Sequence, residues 1–126
     1  MESVRIMAFG YDKKEAGTIQ NQLEQLIGTR VTVISAVGRE HDTIESILSE
    51  NDPGEFKDES PKVLMFLGFS DSSINTVLQE FSNFKGVHRP IFCGLTEDNI
   101  KWPVEQLLSH LEEEQRYWSK QKKEIN

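Results

Sequence analysis

The chain has 126 residues, 37% hydrophobic and 28% charged, with a formal net charge of −7. That length suits one domain whose core needs neither disulfide nor metal. The acidic balance opposes a phosphate backbone unless basic residues cluster, and the nearest cluster, Lys120, Lys122 and Lys123, is broken by Gln121 and followed by Glu124. Nucleic acid is therefore not an expected partner.

Cys93 is the single cysteine. It excludes a disulfide within the chain and fits a reducing compartment. The start of the chain lacks a basic region followed by a long apolar run, and no apolar stretch approaches a membrane span. The expectation is a cytoplasmic protein without membrane contact.

Val4 to Phe9 is a short apolar run ended by Gly10, and it predicts a buried strand. Asp12 precedes Ala16, Ile19, Leu23, Leu26 and Ile27 at helical spacing, and Gly28 suits the end of that helix. Arg30 to Ser35 is β-branched and predicts the second strand. Asp42 and Glu45 have the spacing of a capping box before a short helix carrying Ile44, Ile47 and Leu48. Residues 49–61 combine Pro, Gly, Ser and Asn with five acidic side chains, and predict a mobile acidic loop. Lys62 to Leu67 predicts a third strand, ended by Gly68. Ser70 or Asp71 would cap a helix carrying Ile74, Val77, Leu78, Phe81 and Phe84, with Gly86 at its end. Pro90 to Leu95 predicts the fourth strand. Pro103 suits the first turn of a last helix, with Val104, Leu107, Leu108, Leu111 and Trp118 on one face.

The two halves align without gaps through their first helix. Met7 falls on Met65, Gly10 on Gly68, Tyr11 on Phe69, Ile19 on Val77, Leu23 on Phe81, Leu26 on Phe84 and Gly28 on Gly86. This predicts an internal duplication: half-units 1–50 and 62–126 of a single domain spanning 1–126, joined by the acidic loop 51–61. Alternating strands and helices predict a three-layer α/β/α fold with a four-stranded parallel sheet in the order 2-1-3-4. The first and last helices would share one face, and the second and third the other.

In an open parallel sheet the binding crevice lies beyond the strands' carboxyl ends, where the strand order reverses. Here that point falls between strands one and three, so Gly10, Tyr11 and Asp12 would meet Gly68, Phe69, Ser70 and Asp71. Glycine allows close backbone approach, and helix N-termini offer N–H donors. The plainer reading makes the glycines turn residues and the acids caps. The loop from Thr96 to Pro103 reaches the same edge. Asn99 would either brace this loop or offer an amide to a ligand, and Trp102 would either pack over the helix start or wall the crevice.

Residues 63 to about 114 resemble an uncharacterised prokaryotic family, domain of unknown function number 3783. The strand Val63 to Leu67, the turn Gly68-Phe69-Ser70, and Thr96, Asn99 and Trp102 ahead of Leu107, Leu108 and Leu111 carry the resemblance. Glu97 and Asp98 stand where members often have proline and a hydroxyl residue. The resemblance implies segment boundaries and no activity.

The chain lacks a glycine-rich phosphate loop, and Gly10 and Gly68 stand alone. A phosphorelay receiver would need an acid ending a central strand and a lysine ending a later one, and neither is present. His41, His88 and His110 are widely spaced and form no ligand set with Cys93, so no metal and no cofactor are expected. Cys93 reads as a buried, inert thiol. No Ser–His–Asp arrangement can be assembled.

The last helix, Pro103 to about Lys122, would run roughly 30 Å beside strands of roughly 20 Å, so its end should overhang. Tyr117 and Trp118 lie there, either folded back on the protein's flank or forming an interface. Three functions stay open. One is a non-catalytic interaction or regulatory module with a protein partner, or a homodimer formed through that helix. Another is a small-molecule-binding domain with its crevice among Tyr11, Phe69, Asn99 and Trp102. The third, an enzyme using Asp12 or Asp71 as general acid/base, is the least favoured.

Overall fold

The computed structural model describes residues 4–50 and 52–125, with side chains described as far as Trp118. The elements run β1 (Val4–Phe9), α1 (Lys13–Ile27), β2 (Val31–Ser35), α2 (Ile44–Ser49), β3 (Val63–Leu67), α3 (Asp71–Glu80), β4 (Ile91–Gly94) and α4 (Val104–Ile125). The basic run at 120–123 therefore lies on α4, with its side chains outside the described set.

Most local signals act as their chemistry dictates. Asp12 caps α1 by accepting from the Glu15 N–H at 2.8 Å, and the Glu15 carboxylate accepts in return from the Asp12 N–H. This reciprocal box satisfies two of the orphan donors of the first turn. At the other end Gly28 takes the left-handed conformation and returns its N–H to the Glu24 carbonyl. Ser70, and not Asp71, caps α3.

Three local expectations shift. Thr43 caps α2 in place of Asp42, accepting from the Ser46 N–H. Helix α3 ends at Glu80 and passes into a 3-10 turn, Phe81–Asn83, well before Gly86. The turn aims Phe81 and Phe84 into one cluster with their rings 4.6 Å apart. Strands two, three and four are each trimmed at their ends, to Val31–Ser35, Val63–Leu67 and Ile91–Gly94.

The sheet order is β2-β1-β3-β4, but the sheet is mixed and not wholly parallel. β1 pairs with β2 in parallel and β3 with β4 in parallel, while β1 and β3 run antiparallel. The reason lies in the connection. Helix α2 is six residues long, about 9 Å by its rise, and the chain after it returns to the end where β1 and β2 finish. There the Pro53 carbonyl accepts from the Ser35 N–H, and the Gly10 carbonyl accepts from the Glu59 N–H. β3 starts from that end and so runs the other way.

Reversing β3 also moves the helices. Each βαβ crossover keeps its right-handed sense, so a unit turned end for end places its helix on the same face as the first. Helices α1 and α3 share one face, with Ala16, Ile19, Leu23, Val77 and Phe81 in one cluster. Helices α2 and α4 share the other, through Ile44, Ile47, Val104, Leu107, Leu108 and Leu111. The expected pairings of first with last helix and second with third are thereby corrected.

The two units are related by an approximate two-fold axis normal to the sheet. Met7 pairs with Met65, its own counterpart in the sequence alignment. Gly10 and Gly68 both have positive φ, 91° and 81°, and so do Gly28 and Gly86, 71° and 76°. The caps Asp12 and Ser70 are also counterparts. The register Val4–Val31 against Val63–Ile91 shows that the second crossover is one residue longer.

Candidate functional site

Because β1 and β3 are antiparallel, Gly10 follows one end of the sheet and Gly68 the other. The six residues of β1 between those ends separate them by roughly 20 Å. The crevice expected from Gly10, Tyr11 and Asp12 meeting Gly68, Phe69, Ser70 and Asp71 therefore does not assemble. The molecule has two equivalent sheet ends instead, and they differ.

At the end where β1 and β2 finish, residues 52–62 form a strap. The missing Cβ of Gly10 leaves room for backbone: a methyl there would stand 2.5 Å from the Glu59 carbonyl oxygen and 2.7 Å from that of Pro61. Lys62 fixes one end of the strap, its ammonium donating to the Gly10 carbonyl at 2.6 Å and to the Asp58 carboxylate. That bond, and next the Lys62 charge, hold the Asp58 carboxyl below the usual carboxylate range. Arg39 fixes the other end, with Nη2 3.2 Å from both the carboxylate and the carbonyl of Asp52, and Nη1 3.8 Å from Glu50. Phe56 packs against the core beneath. The acidic segment expected to be mobile is thus tied down by two cations, which neutralise charge that would otherwise repel itself.

Tyr11 lies beneath the strap and is fully buried. Its hydroxyl donates to the His88 carbonyl, and Lys62 stands over its ring. Burial, with the Glu15 charge second, raises the phenol above its ordinary value, so Tyr11 acts as a packed donor. Asp12 is occupied as a cap. Beside it a shallow recess of about 510 Å³ mixes Asp12, Glu15 and Asp58 with Lys14, Lys85 and His88.

At the opposite end β3 and β4 finish on a groove of about 520 Å³, lined in part by Arg5, Gly68, Phe69, Ile74, Gly94 and Leu95. A Cβ on Gly68 would meet only Val4 Cγ1, at 4.0 Å, and one on Gly94 would meet nothing within 4 Å. Two glycine backbones are therefore bare here, where Gly10 is covered. Phe69 lies against Phe66 with ring centroids 4.9 Å apart and the rings tilted by 59°, forming an aromatic wall, and Leu95 is an exposed apolar side chain. Ser70 is spent on capping and on contacts with Ser72 and Ser73. Asp71 is exposed in the first turn of α3.

The loop after β4 is self-braced. Asn99 Oδ1 accepts from the Thr96 N–H at 2.8 Å, Thr96 Oγ1 accepts from the Asn99 N–H at 2.9 Å, and Asn99 Nδ2 donates to the Gly94 carbonyl at 3.0 Å. Asn99 is buried and its amide is fully engaged. Trp102 turns away from the groove. Its carbonyl accepts from the Ile44 N–H and its ring stands edge-on to His110 at 5.2 Å, within the α2–α4 layer. Tyr117 and Trp118 are 59% and 65% exposed on α4 and do not fold back onto the flank.

Gly68 and Phe69 are the expected site residues that line this groove, with Thr96 and Leu95 lining an adjoining shallow dent. Sequence reasoning missed Arg5, Ile74, Gly94 and Leu95. Arg5 carried a signal, a lone charge inside an apolar central strand. Gly94 carried one too: its φ is ordinary and nothing crowds it, so no local constraint demands glycine there. Cys93, in β4, has its thiol pushed up to about 12 by burial and secondarily by Glu114, which leaves it protonated near neutrality. Among the described residues no group of three His, Cys, Asp or Glu side chains could hold a metal ion, and no helix is long and apolar enough to cross a membrane.

The fold defines an open-sheet α/β protein built from two strand–helix–strand–helix units. Residues 62–118 match the family model described as Domain of unknown function (DUF3783). The match opens at the start of the second unit, closes at Trp118, and contains Gly68, Phe69, Gly94 and the Thr96–Asn99 brace. No curated protein and no solved structure matches the chain.

Proposed function

We propose that this protein is a non-catalytic interaction module, and that it takes up an extended segment of a partner protein in the groove at the carboxyl ends of β3 and β4. The contrast between the two sheet ends carries this reading. At the first end the chain's own strap lies across β2 and β1, bonded at Ser35 and Gly10. At the second, the counterpart glycine is uncovered and Gly94 adds bare backbone. Extended peptides bind sheet edges through main-chain groups, with pockets for alternate side chains, and the bare backbone of Gly68 and Gly94 offers main-chain groups at this sheet end. Phe69, Ile74 and Leu95 offer the apolar contacts, and Arg5 favours an acidic segment.

The two units descend from one ancestral βαβα unit in this reading, and the strap is the feature that made their ends unequal. Coincidence of the family match with the second unit supports it. The groove volume also lies within the range of small-molecule sites, so a small ligand is the competing occupant.

A synthetic peptide of residues 52–61, titrated into the isotopically labelled full chain, tests the proposal. Amide shifts should concentrate at Gly68, Phe69, Gly94 and Leu95. No shifts at millimolar peptide, or shifts confined to Gly10 and Ser35 through exchange with the resident strap, would overturn it. A small-molecule library that moves the same amides where the peptide does not would favour the competing occupant.

A further inference from the structure

Helix α4 carries a stripe that outlasts the sheet. Val104, Leu107, Leu108 and Leu111 are buried against the α2 layer. The same seven-residue spacing that joins Val104 to Leu111 continues to Trp118 and Ile125 in the sequence, and the helix runs to Ile125. Yet residues 112–118 are exposed, and Trp118 is 65% exposed. An apolar stripe sustained at this period is the pattern of a helix that packs along another helix.

The sequence of that stripe matches itself when reversed about Trp118. Laid antiparallel on a second copy, Trp118 meets Trp118, Glu114 meets Lys122 and Gln115 meets Gln121. Next to the stripe Glu114 precedes the tryptophan and Lys122 follows it, so the antiparallel arrangement joins opposite charges there, while the like pairs Arg116–Lys120 and Glu112–Glu124 fall well away from the stripe, at about 120° or more from Trp118. A parallel pair would set Glu114 on Glu114 and Lys122 on Lys122. Self-matching of this kind is the signature of an isologous two-fold interface.

We propose that the protein forms a homodimer through the overhanging end of α4, the two helices antiparallel with the dyad at Trp118. The interface is separate from the groove of β3 and β4, and neither depends on the other. Tryptophan at its centre supplies the large, desolvated anchor expected of an interface hot spot. The flanking pairs Glu114–Lys122 set direction and register, the role e and g charges play in coiled coils.

Sedimentation equilibrium of the full chain across the micromolar range tests this. The wild type should be dimeric at high micromolar concentration, and Trp118→Ala should be monomeric there. Glu114→Lys and Lys122→Glu should each weaken the dimer about tenfold, because two symmetry-related pairs become repulsive in each variant. The double variant Glu114→Lys/Lys122→Glu should restore it, since exchange of charges leaves an antiparallel pair complementary. Glu114 and Trp118 are exposed, and circular dichroism of every variant should show the fold intact. A wild type that stays monomeric, a dimer insensitive to the single swaps, or a double swap that fails to recover association would overturn the proposal.

Discussion

The two ends of the sheet are near-copies in backbone and opposites in surface. Gly10 and Gly68 share a positive φ and a following aromatic residue. Gly10 is roofed by the Glu59 and Pro61 carbonyls, whereas Gly68 faces open space. Tyr11 is sealed in with its hydroxyl bonded, whereas Phe69 walls a groove. The same local solution serves stability when a segment of the chain covers it, and leaves backbone available when nothing does. The covering segment is acidic, and it holds because Lys62 and Arg39 stand at its two ends. In the second unit the long helix α4 (Val104–Ile125) stands where the first has a six-residue helix and then the strap.

The largest break of this contrast should come from Gly10→Ala. Positive φ and two carbonyl oxygens within 3 Å of the new methyl should cost on the order of 3 kcal/mol. A fall in urea midpoint with unchanged slope would measure it. Lys62→Met comes next. It removes a charged donor from the Gly10 carbonyl and from Asp58, for a loss of about 2 kcal/mol, together with faster amide exchange at Glu59. Gly68→Ala meets no neighbour closer than 4.0 Å and pays for backbone strain alone, about 1 kcal/mol. Equal losses for Gly10→Ala and Gly68→Ala would show that the strap contributes nothing at Gly10.

Gly94→Ala should change stability by less than about 0.5 kcal/mol, as an uncrowded surface substitution. It should still weaken binding of the residue 52–61 peptide, which separates the groove's role from the fold's. The smallest effect concerns pH. Asp58 has a carboxyl held below its ordinary value by Lys62. Its contribution is therefore present above the unfolded value, about 3.9, and is lost as pH falls through the lower folded one. The difference in urea midpoint between wild type and Asp58→Asn should be small at neutral pH and vanish in acid.

Much of this was legible in the sequence, because it rests on contacts between near neighbours. The Asp12 cap, the Gly28 cap, a cap at Ser70 or Asp71 and the four strands follow from short-range chemistry and apolar period. The Thr96–Asn99 brace belongs with them, as an Asn amide folding onto its own loop. Gly10, Tyr11, Asp12, Gly68 and Phe69 were named together, as strand-end residues meeting at the switch point of a parallel sheet. Gly68 and Phe69 line the groove, whereas Asp12 and Tyr11 are spent on capping and packing. Trp102 faces the other layer, since its orientation depends on where α2 lies.

The direction of β3 was the decisive quantity that no window of sequence contains. Strand pairing in either sense satisfies the same apolar run, and the choice depends on where the preceding connection leaves the chain. Six-residue α2 and a strap bound at Ser35 and Gly10 leave it at the end where β1 finishes. Reversal of β3 then follows, and with it the shared face of α1 and α3, the separation of Gly10 from Gly68, and an open groove at the end away from the strap. The sequence by itself determined the elements and the caps at Asp12 and Gly28, because those depend on residues a few positions apart. Tertiary structure alone decided which repeated feature is buried and which is exposed, because that depends on long-range contacts made by Lys62 and Arg39.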